Sequence, residues 1–437
     1  MKVRASVIRS TVWLALGAVI AWTATARAQS PDRAVEFEDL GLDRWLDASA
    51  RGFALSAFAA TASEATALAI NPAGLARAKR VSAVSTFGGT RKTFDYTWGE
   101  TMHSNELDEY AVQFVGVAVP LPVLRGSLVP AFGIQRAFSA ALALAYQGYN
   151  EVDARDDRLQ LQQTGAAYAV HFGAGIDITS AVALGLSFFV LDGGVDLVRQ
   201  YDTRGRIVEP DVHTFVFERI DSDVDGYGAR AGLSLYPARW MQIALVATSP
   251  VVAELESSIF VETTRQVDND VGSFSRVTTE RTSEYKIPYR LDAALAIPAS
   301  PSLLFAVQAG YCDWSQATID DQRLITNGLE GVLRSVVDLR AGVEWSAGRW
   351  PLRVRAGAAR ARAAASFVEA DRIDYDQLER IESETQFIRV SLGAGYIVRR
   401  RVNLDLSLGF SRAERVSATI FDTRDTVSVL LGGGYWF

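Results

Sequence analysis

The chain has 437 residues, of which 49% are hydrophobic and 22% charged, and 44 basic against 51 acidic residues give a formal net charge of −7. This balance excludes intrinsic disorder, which needs low hydrophobicity and high net charge. It also disfavours nucleic-acid binding, which needs clustered cations to neutralise phosphates. A single cysteine, Cys312, excludes an internal disulfide framework, and with only three histidines it disfavours a zinc site.

Residues 1–28 have the pattern of a secretory signal peptide. Lys2, Arg4 and Arg9 form a charged start, an uncharged and mostly apolar run follows, and Ala-Arg-Ala at 26–28 fits the small-x-small cleavage site. An uncleaved membrane anchor is the alternative, which the shortness of the apolar run disfavours. We therefore expect the mature protein to leave the cytoplasm.

Beyond residue 28, apolar and polar residues alternate, and no uncharged apolar run of about 18 residues remains. At 402–411 the even-numbered residues are Val, Leu, Leu, Leu and Phe, whereas the odd-numbered residues are polar or glycine. Successive side chains of a strand point to opposite faces, so this segment has one apolar and one polar face. Segments 337–345, 352–358 and 388–398 repeat the pattern.

Two features favour a membrane barrel over a soluble sheet, which can show the same alternation. Alternating segments of about ten residues suit tilted strands that cross a bilayer. The connections also alternate in length, as in outer-membrane barrels with short periplasmic turns and long external loops. The short turns lie near 120–127, 179–180, 237–239, 298–301, 346–349 and 399–401, and the long linkers near 99–107, 149–158, 200–223, 263–281, 316–333, 367–384 and 412–423.

These connections separate fourteen predicted strands, and an even number places both chain ends on the periplasmic side. The predicted strands are 81–98, 107–120, 130–148, 160–178, 181–199, 224–236, 240–262, 282–297, 302–315, 334–346, 350–366, 385–398, 402–411 and 424–437. The predicted fold class is therefore all-β: a transmembrane antiparallel β-barrel of about 14 strands over residues 81–437. We expect it in the lipid of the outer membrane of a Gram-negative bacterium.

The chain ends on an apolar strand whose last aromatic residues are Tyr435 and Phe437. Val427, Val429 and Leu431 share a face with both aromatic residues. A final strand of this kind resembles the signal that the outer-membrane assembly machinery reads. We therefore expect that machinery as a partner.

Residues 29–80 do not alternate, and we expect an N-terminal arm followed by a hatch segment inside the barrel. The run from Arg51 to Ala76 is rich in alanine and other small residues, which suits close packing. Asn71-Pro72 predicts a turn, because the Asn side chain can bond the backbone ahead and Pro fixes φ. Gly74 permits close approach of the backbone.

The small-residue run that ends in Asn-Pro-Ala-Gly-Leu-Ala at 71–76 resembles the N-terminal plug of the long-chain fatty acid transporter family of outer-membrane barrels. The related type IX secretion barrels share the motif. Trp314-Ser315 and the order and length of the last six strands extend the resemblance. It implies a fourteen-stranded barrel with a hatch in the lumen, in agreement with the strand count. In that family, hydrophobic ligands enter from outside, bind in the barrel and leave sideways through a gap made by a strand kink.

Three groups of residues are candidate sites, each with a structural alternative. Asn71, Pro72, Ala73 and Gly74 form either a hatch pivot that moves on ligand binding or a turn that plugs the lumen. Charges on the lumen face either bind a ligand carboxylate, as bidentate Arg does, or form an ion-pair network that anchors the hatch. These charges are Arg290, Asp292, Asp338, Arg340, Glu344, Arg353, Arg355, Arg389 and Asp405. The apolar residues of 128–149 either line an external groove or face lipid.

The sequence contains neither a Gly-x-Ser-x-Gly motif nor a phosphate-binding loop, and no catalytic, cofactor-binding or metal-binding group stands out. We therefore expect no enzyme and no cofactor. The predicted function is passive uptake of a hydrophobic small molecule, such as a long-chain fatty acid or a hydrocarbon, through a plugged barrel. The alternatives are a non-transporting scaffold or shuttle for secreted surface proteins, and a general diffusion pore.

Overall fold

The computed structural model describes most of the chain from residue 46 onward. The described ranges are 46–98, 101–121, 127–150, 155–205, 212–267, 270–320, 322–323, 332–333, 335–348, 350–370, 380–416 and 421–437. The predicted signal peptide, residues 1–28, and the first part of the predicted arm, residues 29–45, lie outside these ranges.

Fourteen antiparallel strands close into a barrel. Strand β1 (Ser82–Trp98) pairs with β2 (Thr101–Ala118) on one side and with the last strand, β14 (Phe421–Trp436), on the other, which closes the sheet. The remaining strands follow in chain order: β3 (Leu128–Ser139 and Leu142–Asn150), β4 (Arg155–Thr179), β5 (Val182–Gly205), β6 (Val212–Ala238), β7 (Met241–Thr248 and Val251–Val267), β8 (Asp270–Ile287 and Arg290–Ser300), β9 (Leu303–Asp313), β10 (Ser335–Ser346), β11 (Leu352–Ala370), β12 (Arg380–Val398) and β13 (Val402–Val416).

An apolar belt covers the outside of the barrel. On β13, Leu404, Leu406 and Leu408 are between 43% and 51% exposed, whereas Asp405 and Ser407 between them are buried. Exposed aromatic residues flank this belt, Trp240, Trp350 and Tyr396 near the short turns and Tyr168 and Tyr227 towards the other end. An apolar band between aromatic girdles is the surface of a strand barrel that spans a membrane.

The predicted strand count is confirmed, and the strands break at the six predicted short turns, of which residues 122–126 and 349 lie outside the described ranges. Several of the predicted long linkers, however, are strand over most of their described residues. The linker predicted at 200–223 is mostly strand, because β5 and β6 stay paired up to Gly205 and Val212. The linker predicted at 263–281 is also strand, with β7 and β8 paired up to Val267 and Asp270. Outside the bilayer a sheet needs no lipid-facing apolar residues, so the alternation that marks a membrane strand is absent there. The outer parts of β4–β8 therefore form a sheet, here called the extension.

Inside the barrel lies the N-terminal segment, defined here as residues 46–80. It contains helix α1 (Ala50–Leu55), helix α2 (Ala67–Ile70) and a 3-10 helix (Pro72–Arg77). Ser49 caps α1 by accepting a hydrogen bond from the Gly52 N–H, 3.2 Å long. None of the helices in the described residues is long and apolar enough to cross a membrane. Small side chains let all three helices pack closely against the inner face of the barrel.

Candidate functional site

Glycines on the inner face of β10–β13 form a recess for helix α1. A Cβ atom at Gly342 would overlap the carbonyl oxygen of Leu55, and one at Gly409 would overlap the ring of Phe53. Both glycines occupy polar-face positions of alternating strands, where a side chain would fill the lumen. The close approach of α1 therefore accounts for glycines that the sequence alone left without a partner.

Buried hydrogen bonds hold the predicted hatch turn. Asn71 is fully buried, and its Oδ1 accepts from the Ala73 N–H at 3.2 Å. Its Nδ2 donates to the carbonyl oxygen of Ala59 at 2.9 Å and to the hydroxyl of Ser234 on β6 at 3.0 Å. The side chain thus joins two parts of the N-terminal segment to the barrel wall.

The other residues of this turn make contacts that need small or rigid side chains. Pro72 occupies the first turn of the 3-10 helix, where its fixed φ and missing N–H are no disadvantage. A Cβ at Gly185 on β5 would overlap the carbonyl carbon of Pro72, and a Cβ at Gly74 would overlap the carbonyl oxygen of Ala62. The geometry is that of a tightly packed turn, and its movement on ligand binding stays a prediction.

Arg355, on the inner face of β11, is the centre of one group of lumen charges. This fully buried guanidinium donates to Glu344 at 2.7 Å and to Asp405 at 2.5 Å. Arg51 of the N-terminal segment donates to the same Glu344 carboxylate at 3.2 Å, and Arg353 lies 3.9 Å from it. The group, here called the Arg355 cluster, ties α1 to strands β10, β11 and β13.

Arg290 is the centre of a second group. It donates to both carboxylate oxygens of Asp292, at 2.9 and 2.8 Å, and also to Asp338. Arg340 donates to the other oxygen of Asp338 at 3.0 Å. Gln308 connects the group to the N-terminal segment, because it donates to Asp292 at 3.1 Å and accepts from the Phe58 N–H at 3.2 Å.

The ninth predicted lumen charge, Arg389, pairs with Asp47 of the N-terminal segment. Its guanidinium also lies 4.8 Å from the centroid of the Phe53 ring. All nine predicted charges thus make ion pairs. The Arg355 cluster, the Arg290 group and the Arg389 pair each reach the N-terminal segment, through Arg51, Gln308 and Asp47. This is the geometry of the ion-pair alternative, and binding of a ligand carboxylate by these residues stays a prediction.

Above the N-terminal segment lies a cavity of about 430 Å³, a volume within the range of small-molecule sites. Of the nine predicted charges, Arg290, Asp292, Asp338, Arg340 and Arg389 line it, and the other four do not. In total, nine basic side chains and four acidic ones line the cavity: Lys92, Arg136, Arg230, Arg290, Arg340, Arg360, Arg362, Arg389 and Arg424 against Asp47, Glu109, Asp292 and Asp338. Apolar side chains complete the lining, among them Phe94, Leu142, Val251, Ile287 and Trp314.

Beside this cavity the barrel wall has a gap between β2 and β3. The two strands pair over only five positions, Phe114–Ala118 against Ala131–Gln135. Strand β3 then breaks after Ser139, and its second piece, Leu142–Asn150, pairs with β4. Among the described residues, that second piece has no ladder partner on β2. Backbone hydrogen bonds therefore do not close the wall at this point.

Polar side chains span the gap in place of the backbone. Glu109 on β2 pairs with Arg136 on β3 and accepts a 2.8 Å hydrogen bond from the Ser139 hydroxyl. Lys92 on β1 lies 3.5 Å from Glu109 and donates to the carbonyl oxygen of Ala141 at 3.1 Å. All five residues also line the cavity, so the cavity ends at a section of wall made of side chains. Sequence reasoning missed Lys92, Glu109 and Arg136, because an uninterrupted strand was predicted over 130–148.

The segment predicted as an apolar groove or a lipid-facing strand contains both kinds of residue. Phe132 faces outward and is 47% exposed. Phe138 and Leu142 are buried, and Leu142 lines the cavity. The apolar face changes sides where β3 breaks, because the register shifts between Arg136 and Phe138.

At the chain end, Tyr435 and Phe437 pack against each other with ring centroids 4.7 Å apart. The Phe437 N–H donates to the carbonyl oxygen of Val81 at 3.0 Å, next to the first strand. Both aromatic residues therefore lie at the seam where the barrel closes. Their reading by the assembly machinery stays a prediction.

A closed barrel with an apolar belt, aromatic girdles and short turns at one end defines the class: an outer-membrane β-barrel. The fold is similar to that of a Pseudomonas aeruginosa FadL homologue, at 12% identity, with 90% of this chain and 99% of that chain covered and a TM-score of 0.59. It is also similar to the Pseudomonas putida toluene transporter TodX (12% identity, 85% and 94% covered, TM-score 0.57) and to the CymD monoaromatic hydrocarbon channel (14%, 90% and 98%, 0.56). No protein-family model matches the sequence, and neither does any curated protein.

Proposed function

We propose that this barrel takes up a hydrophobic compound passively across the outer membrane and carries out no chemistry on it. Residues 46–80 act as the hatch that blocks the water path, and the N-terminal arm and barrel are the other parts of the mature protein. The ligand enters from outside, occupies the central cavity and leaves sideways between β2 and β3. The fold shared with hydrocarbon channels supports this proposal.

The observation that carries the proposal is the section of wall made of side chains next to the cavity. A continuous β-ladder would have to break many backbone hydrogen bonds to let a ligand pass sideways, and broken backbone bonds are costly in lipid. Lys92, Glu109 and Arg136 close this section through side chains, which change rotamer without unfolding a strand. A lateral path at this position therefore needs less rearrangement than a path through the paired parts of the wall.

The cavity favours an amphiphile with an anionic head. Nine basic side chains face four acidic ones, so the lining has a net positive charge. Arg binds a carboxylate in two parallel hydrogen bonds, and Phe94, Leu142 and Trp314 offer apolar surface beside it. A fatty acid-like ligand satisfies both requirements, whereas a sugar satisfies neither.

The experiment that tests the lateral path is a reversible cross-link across the gap. Glu109→Cys and Ser139→Cys, in a Cys312→Ser background, are joined by a short bifunctional thiol reagent in the full-length protein. We expect uptake of a fluorescent long-chain fatty acid into cells to fall at least tenfold and to return on reduction. The matched control joins Glu262→Cys and Arg276→Cys, which pair across β7 and β8 in the extension, and should leave uptake unchanged.

A scaffold for secreted surface proteins is the competing function. Native mass spectrometry of the detergent-extracted protein separates the two. A retained small hydrophobic molecule that fatty acid displaces and sugars do not would support the transporter. A barrel without such a molecule but with a bound protein, together with uptake that the cross-link does not change, would overturn the proposal.

A further inference from the structure

The short-turn end of the barrel is basic, although the whole chain is acidic. Six exposed basic residues lie in the described turns and chain segments there: Lys79, Arg80, Arg239, Arg399, Arg400 and Arg401. None of the described residues in those turns is acidic, and Asp177, near the end of β4, lies 4.0 Å from Arg77. Short turns face the periplasm in outer-membrane barrels, so the positive charge faces that side.

Four of these arginines form one compact group, here called the basic rim: Arg80, Arg399, Arg400 and Arg401. The Arg80 guanidinium donates to the carbonyl oxygen of Arg400 at 3.5 Å. The carbonyl oxygen of Arg401 accepts from the Trp436 N–H at 2.7 Å. The basic rim therefore surrounds the seam where β13, β14 and β1 meet. No described carboxylate pairs with any of its four side chains.

The backbone conformation at Arg399 and Arg400 does not favour arginine, so the turn itself does not explain these two residues. Arg399 and Arg400 have positive φ angles of 48° and 58°, and the Arg401 N–H bonds the Val398 carbonyl oxygen. This is the pattern of a type I′ turn, for which Asn-Gly is strongly preferred. Two consecutive arginines in left-handed conformations are unfavourable for the fold. A ligand for their guanidinium groups would account for their presence.

The position of the rim identifies the ligand. Tyr396 and Leu404 pair across β12 and β13 next to the turn, and both side chains face outward, Tyr396 in the aromatic girdle and Leu404 in the apolar belt. Phe437, 70% exposed, lies beside the same seam. Exposed aromatic rings mark the level of the lipid headgroups, and guanidinium groups bind phosphates in forked pairs. At this level the available phosphates are those of the phospholipids in the periplasmic leaflet.

We infer that the basic rim is a binding site for the phosphate groups of anionic phospholipids in the periplasmic leaflet of the outer membrane. The site holds lipid at the seam where the first and last strands pair. It does not depend on the proposed transport function, and a scaffold with the same rim would bind the same lipid.

The test replaces the turn with the residues that its backbone prefers. The double variant Arg399→Asn, Arg400→Gly removes two charges and relieves two left-handed arginines, so the barrel should fold at least as well as before. Juxtamembrane Lys and Arg each contribute about 1 kcal/mol to binding an anionic surface, so two of them correspond to roughly a thirtyfold loss in affinity. We expect that loss for phosphatidylglycerol titrated into the detergent-solubilised full-length protein and followed by native mass spectrometry.

A matched control removes two exposed arginines at the other end of the molecule. The variant Arg91→Gln, Arg276→Gln should bind phosphatidylglycerol as the unmodified protein does, and heat-modifiable gel migration shows that both variants are folded. Equal retention of phosphatidylcholine and phosphatidylglycerol would overturn the inference. Displacement of the lipid by millimolar inorganic phosphate would also overturn the inference. So would a result in which Arg399→Asn, Arg400→Gly loses a bound acidic protein and retains its lipid.

Discussion

The two sides of the barrel wall are closed in different ways. From β10 through β14 to β1, every strand pairs with its neighbours over long ladders, and glycines on the inner face receive helix α1. Between β2 and β3, beyond their five paired positions, the described contacts are made by polar side chains: Glu109 with Arg136 and Ser139, and Asn105 with the Ala145 carbonyl oxygen. The first side combines backbone pairing with buried ion pairs, so it resists opening. The second side depends on polar contacts at the edge of a cavity.

The two sides of the wall also make different contacts with the N-terminal segment. The Arg355 cluster, on the closed side, ties α1 to three strands. Beside the gap, Leu46 of the segment donates to Ala137 and accepts from Gln135 on β3. Under the proposed function, the wall opens beside β3 while the Arg355 cluster keeps α1 attached to β10, β11 and β13.

The largest expected effect comes from Arg355→Met. It leaves Glu344 and Asp405 buried with one partner fewer, and breaking a buried ion pair in this way costs about 3–5 kcal/mol. We expect the temperature at which the heat-modifiable form is lost to fall by many degrees. A fall no larger than that of an exposed arginine variant would show that the closed side does not depend on this cluster.

A smaller effect is expected from Asn71→Ala. The change removes the donor to the Ala59 carbonyl oxygen and to the Ser234 hydroxyl, and both acceptors stay buried. We expect the free energy of docking of the segment to weaken by about 2–3 kcal/mol. The barrel strands keep their backbone ladders and lose only the contact at Ser234, so heat-modifiable migration should persist while the N-terminal segment becomes sensitive to protease. Asn71→Asp, which keeps the size and loses the two donated bonds, should behave in the same way. Unchanged protease protection in both variants would mean that this turn does not hold the segment.

The docking of the N-terminal segment should also depend on pH through Glu64. Burial raises the pKa of the Glu64 carboxyl, the charge of Asp405 raises it further, and Arg51 opposes both effects. A raised pKa means that the protonated form favours the docked segment, so docking is strongest below the ordinary pKa of a glutamate and weakens as pH rises through the raised value.

Protease protection of residues 46–80, measured between pH 5 and pH 8, tests this sign. We expect protection to decrease with rising pH in the unmodified protein and to stay nearly constant in Glu64→Gln. The amide keeps the size of the side chain and does not ionise. A pH dependence that is the same in both proteins would assign the titration to another group.

The smallest effect is expected from Arg412→Gln. Arg412 makes a bidentate pair with Asp425 through two hydrogen bonds of 2.7 Å, but its side chain is 47% exposed, whereas that of Arg355 is fully buried. Exposed pairs contribute at most about 1 kcal/mol and are screened by salt. Thermal unfolding should therefore change by a few degrees at most, and the remaining difference should vanish at high ionic strength. A loss as large as that of Arg355→Met would contradict the assigned importance of burial.

Much of the barrel could be predicted from the sequence, because alternation reports which strand faces meet lipid. The fourteen strands and six short turns follow from that one signal. The extension could not be found in this way, since strands such as 200–205 and 270–281 have water-compatible side chains on both faces. A sheet without an apolar face has the composition of a loop, and only the pairing of its backbone distinguishes the two.

The candidate site also contains residues that the sequence predicts and residues that it does not. The nine lumen charges could be predicted because each occupies the polar side of an alternating strand. Their partners could not, since Arg51 and Asp47 lie in a segment without periodicity and nearly three hundred residues or more from Glu344 and Arg389. The break in β3 leaves no trace in the composition, because Ser139-Ala-Ala-Leu142 suits a strand as well as an interruption.

The length of the strands determines where the protein meets its surroundings. Strand β6 has 27 residues, which at about 3.3 Å each and a tilt near 40° reach a height of roughly 70 Å. The hydrocarbon layer takes up about 25–30 Å of this. The remaining tens of ångströms stand beyond the lipid headgroups on the outer side. A molecule that approaches this side of the barrel therefore first meets a polar sheet, tens of ångströms before it reaches the level of the bilayer.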